Sequence, residues 1–164
     1  MIEIKKGLYG SSYFGIGPIK IKDIKQDTND LFNIQWIENL CISIEEMHVQ
    51  ALLYPIILKY FDENLYENKK RYTFYNKVSF EEYNTYNYYT IDSIKKIIQD
   101  TEEIIQLFEQ NSNDERCREI LYGNYCGYIK DEAIIFYKKF NSYLQTMIIN
   151  SEKFNYHLIA FEGP

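Results

Sequence analysis

The clearest pattern in the chain is a helical repeat of apolar residues in its second half. After the candidate caps Asp92 and Ser93, apolar positions recur at intervals of three and four, as on the buried face of an amphipathic helix. The polar run over residues 110–114 favours the end of this helix. The predicted buried stripe consists of Ile94, Ile97, Ile98, Thr101, Ile104, Ile105 and Phe108.

A second long helix is predicted after the candidate cap Asp131. A short helix over residues 115–121 precedes it, and a loop over residues 122–128 joins the two. The predicted stripe of the long helix consists of Ile134, Ile135, Tyr137, Phe140, Leu144, Met147 and Ile148.

Strand patterns lie on both sides of these helices. Glycines between Gly7 and Gly17 indicate strands and turns, and residues 18–22 alternate apolar and charged side chains like a half-buried strand. Residues 71–80 alternate most clearly and predict a strand that ends at the acidic pair Glu81-Glu82. The apolar run over residues 156–161 predicts a buried final strand.

Residues 30–42 fit either a strand or a helix. Phe32, Ile34 and Trp36 alternate with polar residues as in a strand, whereas Ile34, Ile37 and Cys41 recur at helical spacing. The possible N-cap at Asp30 favours the helix.

Residues 44–61 also fit either a helix or strands. Ser43 and Glu46 have the spacing of a capping box, which predicts a helix that runs toward Tyr54 and is kinked or ended by Pro55. The alternative is one or two strands between His48 and Phe61. With early strands, later helices and a last strand, the chain is predicted to be one α+β domain over residues 1–164.

Charge and hydropathy restrict the partners. The net charge of −6 argues against nucleic acid and favours a basic partner, the alternative being that the acidic residues form solvated faces that keep the protein soluble. No apolar run approaches the roughly 20 residues of a membrane-spanning helix, and the amino terminus lacks the pattern of a secretory signal. We therefore expect a cytoplasmic protein with no membrane contact.

Candidate chemistry is sparse, and the sequence predicts neither an enzyme nor a cofactor. Glu45 and His48 have the E-x-x-H spacing of di-iron sites, but the required second copy is missing. Cys117, beside two arginines, and Cys126, in a glycine-flanked loop, are minor candidates for a reactive thiol. Cys41, Cys117 and Cys126 have no C-x-x-C spacing, so free thiols are expected rather than a disulfide framework or a metal site.

Two clusters among the 17 tyrosines are candidates for protein contact. Residues 83–89 interleave aromatic side chains with asparagine and threonine, and residues 122–128 form a tyrosine-bearing loop. Tyrosine and asparagine supply rigid contact area and adaptable hydrogen bonds. Ordinary packing in the core and loops remains the alternative for both clusters.

In its size, acidity and single-domain character the whole chain resembles the small acidic immunity proteins of bacterial polymorphic-toxin and contact-dependent inhibition systems, and the acidic, aromatic stretch from Glu81 and Glu82 through Tyr89 is the nearest local support. The resemblance implies a cytosolic protein that neutralises a cognate toxin, often a basic nuclease, by occluding it. The alternatives are a structural or regulatory subunit of a larger assembly, and an enzyme or small-ligand binder whose site is assembled from dispersed residues. The predicted contact residues are Glu81, Glu82, Tyr83, Tyr86, Tyr88 and Tyr89, with Tyr122 and Tyr125 secondary.

Overall fold

The computed structural model describes residues 1–21, 34–60, 86–123 and 127–163. The strand predicted over residues 71–80 lies outside them. The strands are β1 (Lys5–Lys6), β2 (Tyr13–Ile21), β3 (Ile34–Trp36), β4 (Ile42–Glu45), β5 (Tyr86–Thr90) and β6 (Leu158–Glu162). The helices are α1 (residues 46–60), α2 (Ile91–Glu109), α3 (Glu115–Tyr122) and α4 (Lys130–Phe154). The predicted α+β class is confirmed.

The described strands form one antiparallel sheet in the order β1-β4-β2-β6-β5, with β3 paired to β2 beside β4. The predicted final strand, β6, lies between β2 and β5, where Ile159 pairs with Pro18 on one side and with Tyr89 on the other. This interior position explains why the run is apolar, since a strand with neighbours on both edges is mostly shielded from water.

Strand β2 is more buried than its alternating sequence predicted. From Phe14 to Ile19 every residue is buried, so both faces of this part of the strand are covered. The charged residue Lys20 retains partial exposure near the end of the strand. The expectation of a half-buried strand therefore fits only that end.

Helix α2 has the buried face that its sequence predicts. All seven residues of the predicted stripe are buried. Its N-cap is Thr90, two or three residues before the candidate caps Asp92 and Ser93, and the Thr90 hydroxyl accepts a hydrogen bond from the Ser93 backbone amide at 3.2 Å. The short helix α3 is likewise confirmed, with Asp114 as its cap.

Helix α4 is present as predicted, but its predicted buried stripe is wrong at Ile135. Ile135 is 59% exposed, whereas Phe136 is buried. Four consecutive residues over 134–137 are apolar, so spacing alone does not decide which of them face the core, and the large ring of Phe136 takes the inner position. Asp131 lies in the first turn, after the N-cap Ile129.

Residues 46–60 are helical, which confirms the favoured interpretation of this segment and excludes strands there. The helix contains a π-helical turn over Val49–Leu53, followed by an α-helical turn over Tyr54–Ile57. Pro55 has no amide hydrogen to donate to the preceding turn, and the wider π-turn just before it accommodates that loss.

The helix favoured for residues 30–42 is wrong over the described residues 34–42. Ile34–Trp36 is strand β3, and a single 3-10 turn, Glu38–Leu40, leads into β4. The alternation of Ile34 and Trp36 decided the structure here, because pairing with β2 satisfies the backbone more completely than a short isolated helix would.

The predicted capping box at Ser43 is also wrong. Ser43 lies within β4 and is fully buried. Its hydroxyl donates to the Gly7 carbonyl at 2.8 Å and accepts from the Tyr9 backbone amide at 3.0 Å. The serine therefore fastens the turn after β1 to the sheet instead of capping a helix.

One hydrophobic core joins the sheet to the helices. From the sheet, Phe14, Ile16 and Phe161 enter it together with residues of α1, α2, α3 and α4. The ring of Phe161 lies 6.4 Å from that of Phe140 on α4. This shared core fixes α2 and α4 relative to the sheet and leaves their outer faces exposed to solvent.

Candidate functional site

The predicted contact residues are distributed over different environments. Glu81, Glu82, Tyr83 and Tyr125 lie outside the described residues. Tyr86 and Tyr88 belong to β5, where the register pairs them with Glu162 and Ala160 of β6, and their side chains are not described. Burial is therefore known for Tyr89 and Tyr122 alone among the predicted contact residues.

Tyr89 is a core residue. Its side chain is 0% exposed, and its ring lies 5.0 Å from that of Phe161 in an edge-to-face arrangement. Strand alternation turns it toward the helices, so it stabilises the core rather than contributing to an exposed contact surface.

Tyr122 is exposed as a contact residue should be. It is the last residue of α3, and 76% of its surface is accessible to solvent. The preceding Leu121 packs against the core and anchors the end of the helix. An amphipathic ring held on a fixed helix end can contribute contact area at little cost in conformational entropy.

Acidic residues are concentrated over one stretch of the described part of the chain. Residues 100–115 contain six acidic residues and no lysine or arginine. They extend along α2 and into the first turn of α3, and four of them are exposed. We call this set the acidic helical surface: Asp100, Glu102, Glu103, Glu109, Asp114 and Glu115.

Basic residues from neighbouring elements neutralise part of this surface. Arg116 lies 3.1 Å from Glu103 and 3.0 Å from Asp114. Its hydrogen bonds to Asp114 lower the pKa of that carboxyl below its ordinary value. Lys59 of α1 pairs with Asp100 at 2.7 Å.

Two acids of the surface have no cationic partner among the described residues. Lys138 of α4 pairs with Glu109 at 2.9 Å. Glu102 and Glu115, by contrast, form no ion pair within the part of the chain that the structure describes, and both are exposed. The acidic helical surface is therefore open to cations from a partner.

A groove of about 380 Å³ runs between α2 and α4 next to these acids. Seven of its eight lining residues are polar or charged, and the eighth is Ile105, which is buried. The α2 wall includes Glu102, Gln106 and Glu109, and the α4 wall includes Lys138, Asn141, Ser142 and Gln145.

Asn141 is the buried polar residue of this groove. It is 5% exposed, and its Oδ1 lies 2.6 Å from the Thr101 hydroxyl. Thr101 Oγ1 is also 2.7 Å from the Ile98 carbonyl, so its one proton can reach either acceptor. The Asn141 amide nitrogen has no hydrogen-bond partner among the described residues, yet it is not sealed in the interior.

A second polar network joins His48 of α1 to Tyr128, just before α4, and to Glu45 of β4. Tyr128 Oη lies 2.7 Å from His48 Nδ1, and His48 Nε2 lies 3.8 Å from Glu45. Burial lowers the pKa of His48 below its ordinary value of 6.5, and the Glu45 carboxylate opposes that shift. Among the described residues, no group of three or more His, Cys, Asp or Glu side chains could hold a metal ion.

The same network continues to the sheet edge. Lys5 donates to the Tyr13 hydroxyl at 2.6 Å, and Tyr13 donates to Glu45 at 3.3 Å. Lys5 also lies over the ring of Tyr9, 5.1 Å from its centroid. These contacts connect β1, β2 and β4 to α1. The E-x-x-H pair, Glu45 and His48, therefore belongs to the contacts that pack these elements together.

The described thiols are buried. Cys41 is 2% exposed, and burial raises its pKa to about 12. Cys117 is also 2% exposed, and burial raises its pKa too. An inaccessible thiol is a poor nucleophile, so the burial of Cys117 argues against a reactive thiol there, while Cys126 lies outside the described residues.

Sequence patterns pointed to some of these residues and missed others. The acidic pairs along α2 are visible in the sequence, but the groove depends on which residues of α4 lie opposite them. Asn141 lies on the buried face of α4, between the apolar residues Phe140 and Leu144. A polar residue at such a position is the signal that could have identified it.

No protein-family model, curated protein or solved structure matches the chain. Within the described ranges, no helix combines the length and apolar character needed to cross a bilayer.

Proposed function

We propose that this chain is a protein-binding module that neutralises a basic bacterial toxin, as an immunity protein does. The observation that carries the proposal is the acidic helical surface, in which Glu102 and Glu115 form no ion pair with any residue that the structure describes. Clustered surface charge of one sign steers a partner of opposite sign and selects against other partners.

Inhibition follows from occlusion. Carboxylates pair with the lysine and arginine side chains that a nuclease-type toxin uses to hold its substrate, and aromatic side chains supply buried contact area. Tyr122 provides such a ring in the described part of the chain. Glu81, Glu82, Tyr83, Tyr86, Tyr88 and Tyr125 remain part of the proposed contact surface.

The first test is isolation of the partner. A tagged full-length chain is expected to co-purify a basic protein from its source strain at low salt, and the complex should weaken as salt rises because exposed charges are screened. Addition of the purified chain should abolish the partner's toxic activity in vitro. A partner that is acidic, or whose activity is unchanged by binding, would contradict the proposal.

Charge reversal then locates the contact. Glu102→Lys with Glu115→Lys, and separately Glu81→Lys with Glu82→Lys, should each weaken the complex about 10-fold or more at low salt. The matched control is Glu3→Lys with Glu152→Lys, because it changes net charge equally at exposed positions outside the acidic helical surface. Equal weakening by all three double variants would show an effect of net charge alone and would refute the proposed surface.

A further inference from the structure

We infer that the groove between α2 and α4 binds an extended basic segment of a protein partner, with a lysine or arginine side chain beside Glu102 and a main-chain carbonyl on the Asn141 amide. This inference rests on the proposed function and names the kind of partner segment that the proposed contact surface binds.

Burial of the Asn141 side chain provides the first argument. A side-chain amide that is 5% exposed ordinarily has hydrogen-bond partners for both its oxygen and its nitrogen. Here the oxygen lies 2.6 Å from the Thr101 hydroxyl, Asn141 lines the groove, and its nitrogen is not sealed and has no hydrogen-bond partner in the described part of the chain. The nitrogen is a donor, so the complementary group is an acceptor such as a peptide carbonyl.

Charge provides the second argument. Glu109 is already paired with Lys138 across the groove at 2.9 Å. Glu102, on the same wall, has no ion pair among the described residues. The groove therefore offers the Glu102 carboxylate and the Asn141 amide donor. A peptide residue with a cationic side chain and a carbonyl oxygen complements both groups.

The shape of the groove favours an extended segment over a folded element. It opens to solvent, and its lining includes Gln106 and Gln145, whose side chains can add adaptable hydrogen bonds. Its volume of about 380 Å³ suits a few residues, and Ile105 is the one apolar residue among its described lining, which is fewer than the several apolar anchors that a docking amphipathic helix uses.

A capped tripeptide, acetyl-Gly-Arg-Gly-amide, tests the groove directly in the full-length chain. Titration followed by 1H–15N NMR should shift the side-chain amide resonances of Asn141 and Gln145 with a saturable response. The neutral analogue in which citrulline replaces arginine should bind several-fold more weakly. Binding of both peptides with equal affinity, or shifts that avoid the groove, would overturn the inference.

Two isosteric variants sharpen the test. Glu102→Gln should weaken binding of the arginine peptide by about 2- to 5-fold, the range expected for one exposed charge pair. Glu152→Gln removes the same charge from an exposed position of α4 outside both the groove and the acidic helical surface, and it should leave binding nearly unchanged. Equal loss in both variants would indicate diffuse electrostatic attraction and refute a specific groove site.

The outcomes separate this inference from the proposed function. If the chain neutralises a basic toxin but Glu102→Gln affects neither toxin nor peptide binding, the function stands and the groove assignment falls. If the arginine peptide binds in the groove but no basic partner is neutralised, the groove assignment stands and the immunity function falls.

Discussion

Single polar side chains connect elements that are far apart in the sequence. Tyr137 donates from α4 to the Leu52 carbonyl at 2.7 Å, inside the π-helical turn of α1. Thr101 meets Asn141 across the α2–α4 contact. The periodicity of the sequence placed Thr101 and Tyr137 on buried faces. It did not identify their hydrogen-bond partners, because a hydrogen bond between residues 40 or 85 positions apart leaves no local pattern.

His48 has a pH dependence that can be measured. Burial lowers its pKa from 6.5, so the folded protein binds its proton less tightly than the unfolded chain does. Stability should therefore be fully present above pH 6.5 and should fall as the pH drops from that value through the lowered pKa. NMR titration of the His48 ring should give a pKa below 6.5.

Denaturation at several pH values provides the comparison. In His48→Gln, the difference in unfolding free energy from the parent protein should shrink as the pH falls, because the variant lacks this titration. Glu45 and Glu132 both favour the protonated ring and limit the effect. A His48 pKa at or above 6.5 would show that their attraction outweighs burial.

At the scale of elements, the two long helices differ in how far sequence decided their orientation. In α2 the apolar residues are separated by polar ones, so only one orientation buries the stripe, and the predicted face is the observed one. In α4 the apolar run over residues 134–137 leaves several orientations open, and packing against the sheet and α2 selects one.

A matched pair of truncations tests this orientation of α4. Leu144→Ala, at a site that is 0% exposed, should lower the unfolding free energy by about 2–5 kcal/mol, since it leaves a cavity in the core. Ile135→Ala, at a site that is 59% exposed, should change it by less than about 0.5 kcal/mol. Chemical denaturation of both variants measures the difference, and equal losses would contradict the observed burial.

At the scale of the whole molecule, β2 joins the two sides of the sheet. Its residues pair with β3 and β4 on one edge and with β6 on the other. Gly17, near its centre, pairs with Ala160 of β6 and approaches the backbone of Cys41 so closely that a Cβ would lie 3.0 Å from the Cys41 Cα. A glycine there permits the segment after β3 to cross directly over the sheet.

Gly17→Ala should therefore destabilise the whole fold by about 1–3 kcal/mol through overpacking against Cys41. Gly10→Ala is the control, because a Cβ at Gly10 meets nothing within 4 Å and its backbone is not left-handed. Thermal unfolding should show a lower midpoint for the Gly17 variant alone. Two unchanged midpoints would show that the Gly17 contact relaxes at no cost.

The sequence by itself determined the class of fold, the positions of α2, α3 and α4, the final strand and the acidic character of the α2 surface. These follow from local periodicity, caps and charge, which act within a few neighbouring residues. Only the tertiary structure decided that residues 34–36 form a strand, that Tyr89 is buried, that Ser43 fastens a turn, and that Asn141 lies in a groove beside Glu102. Each of these depends on a partner distant in sequence, and only the folded sheet and its packed helices bring the partners together.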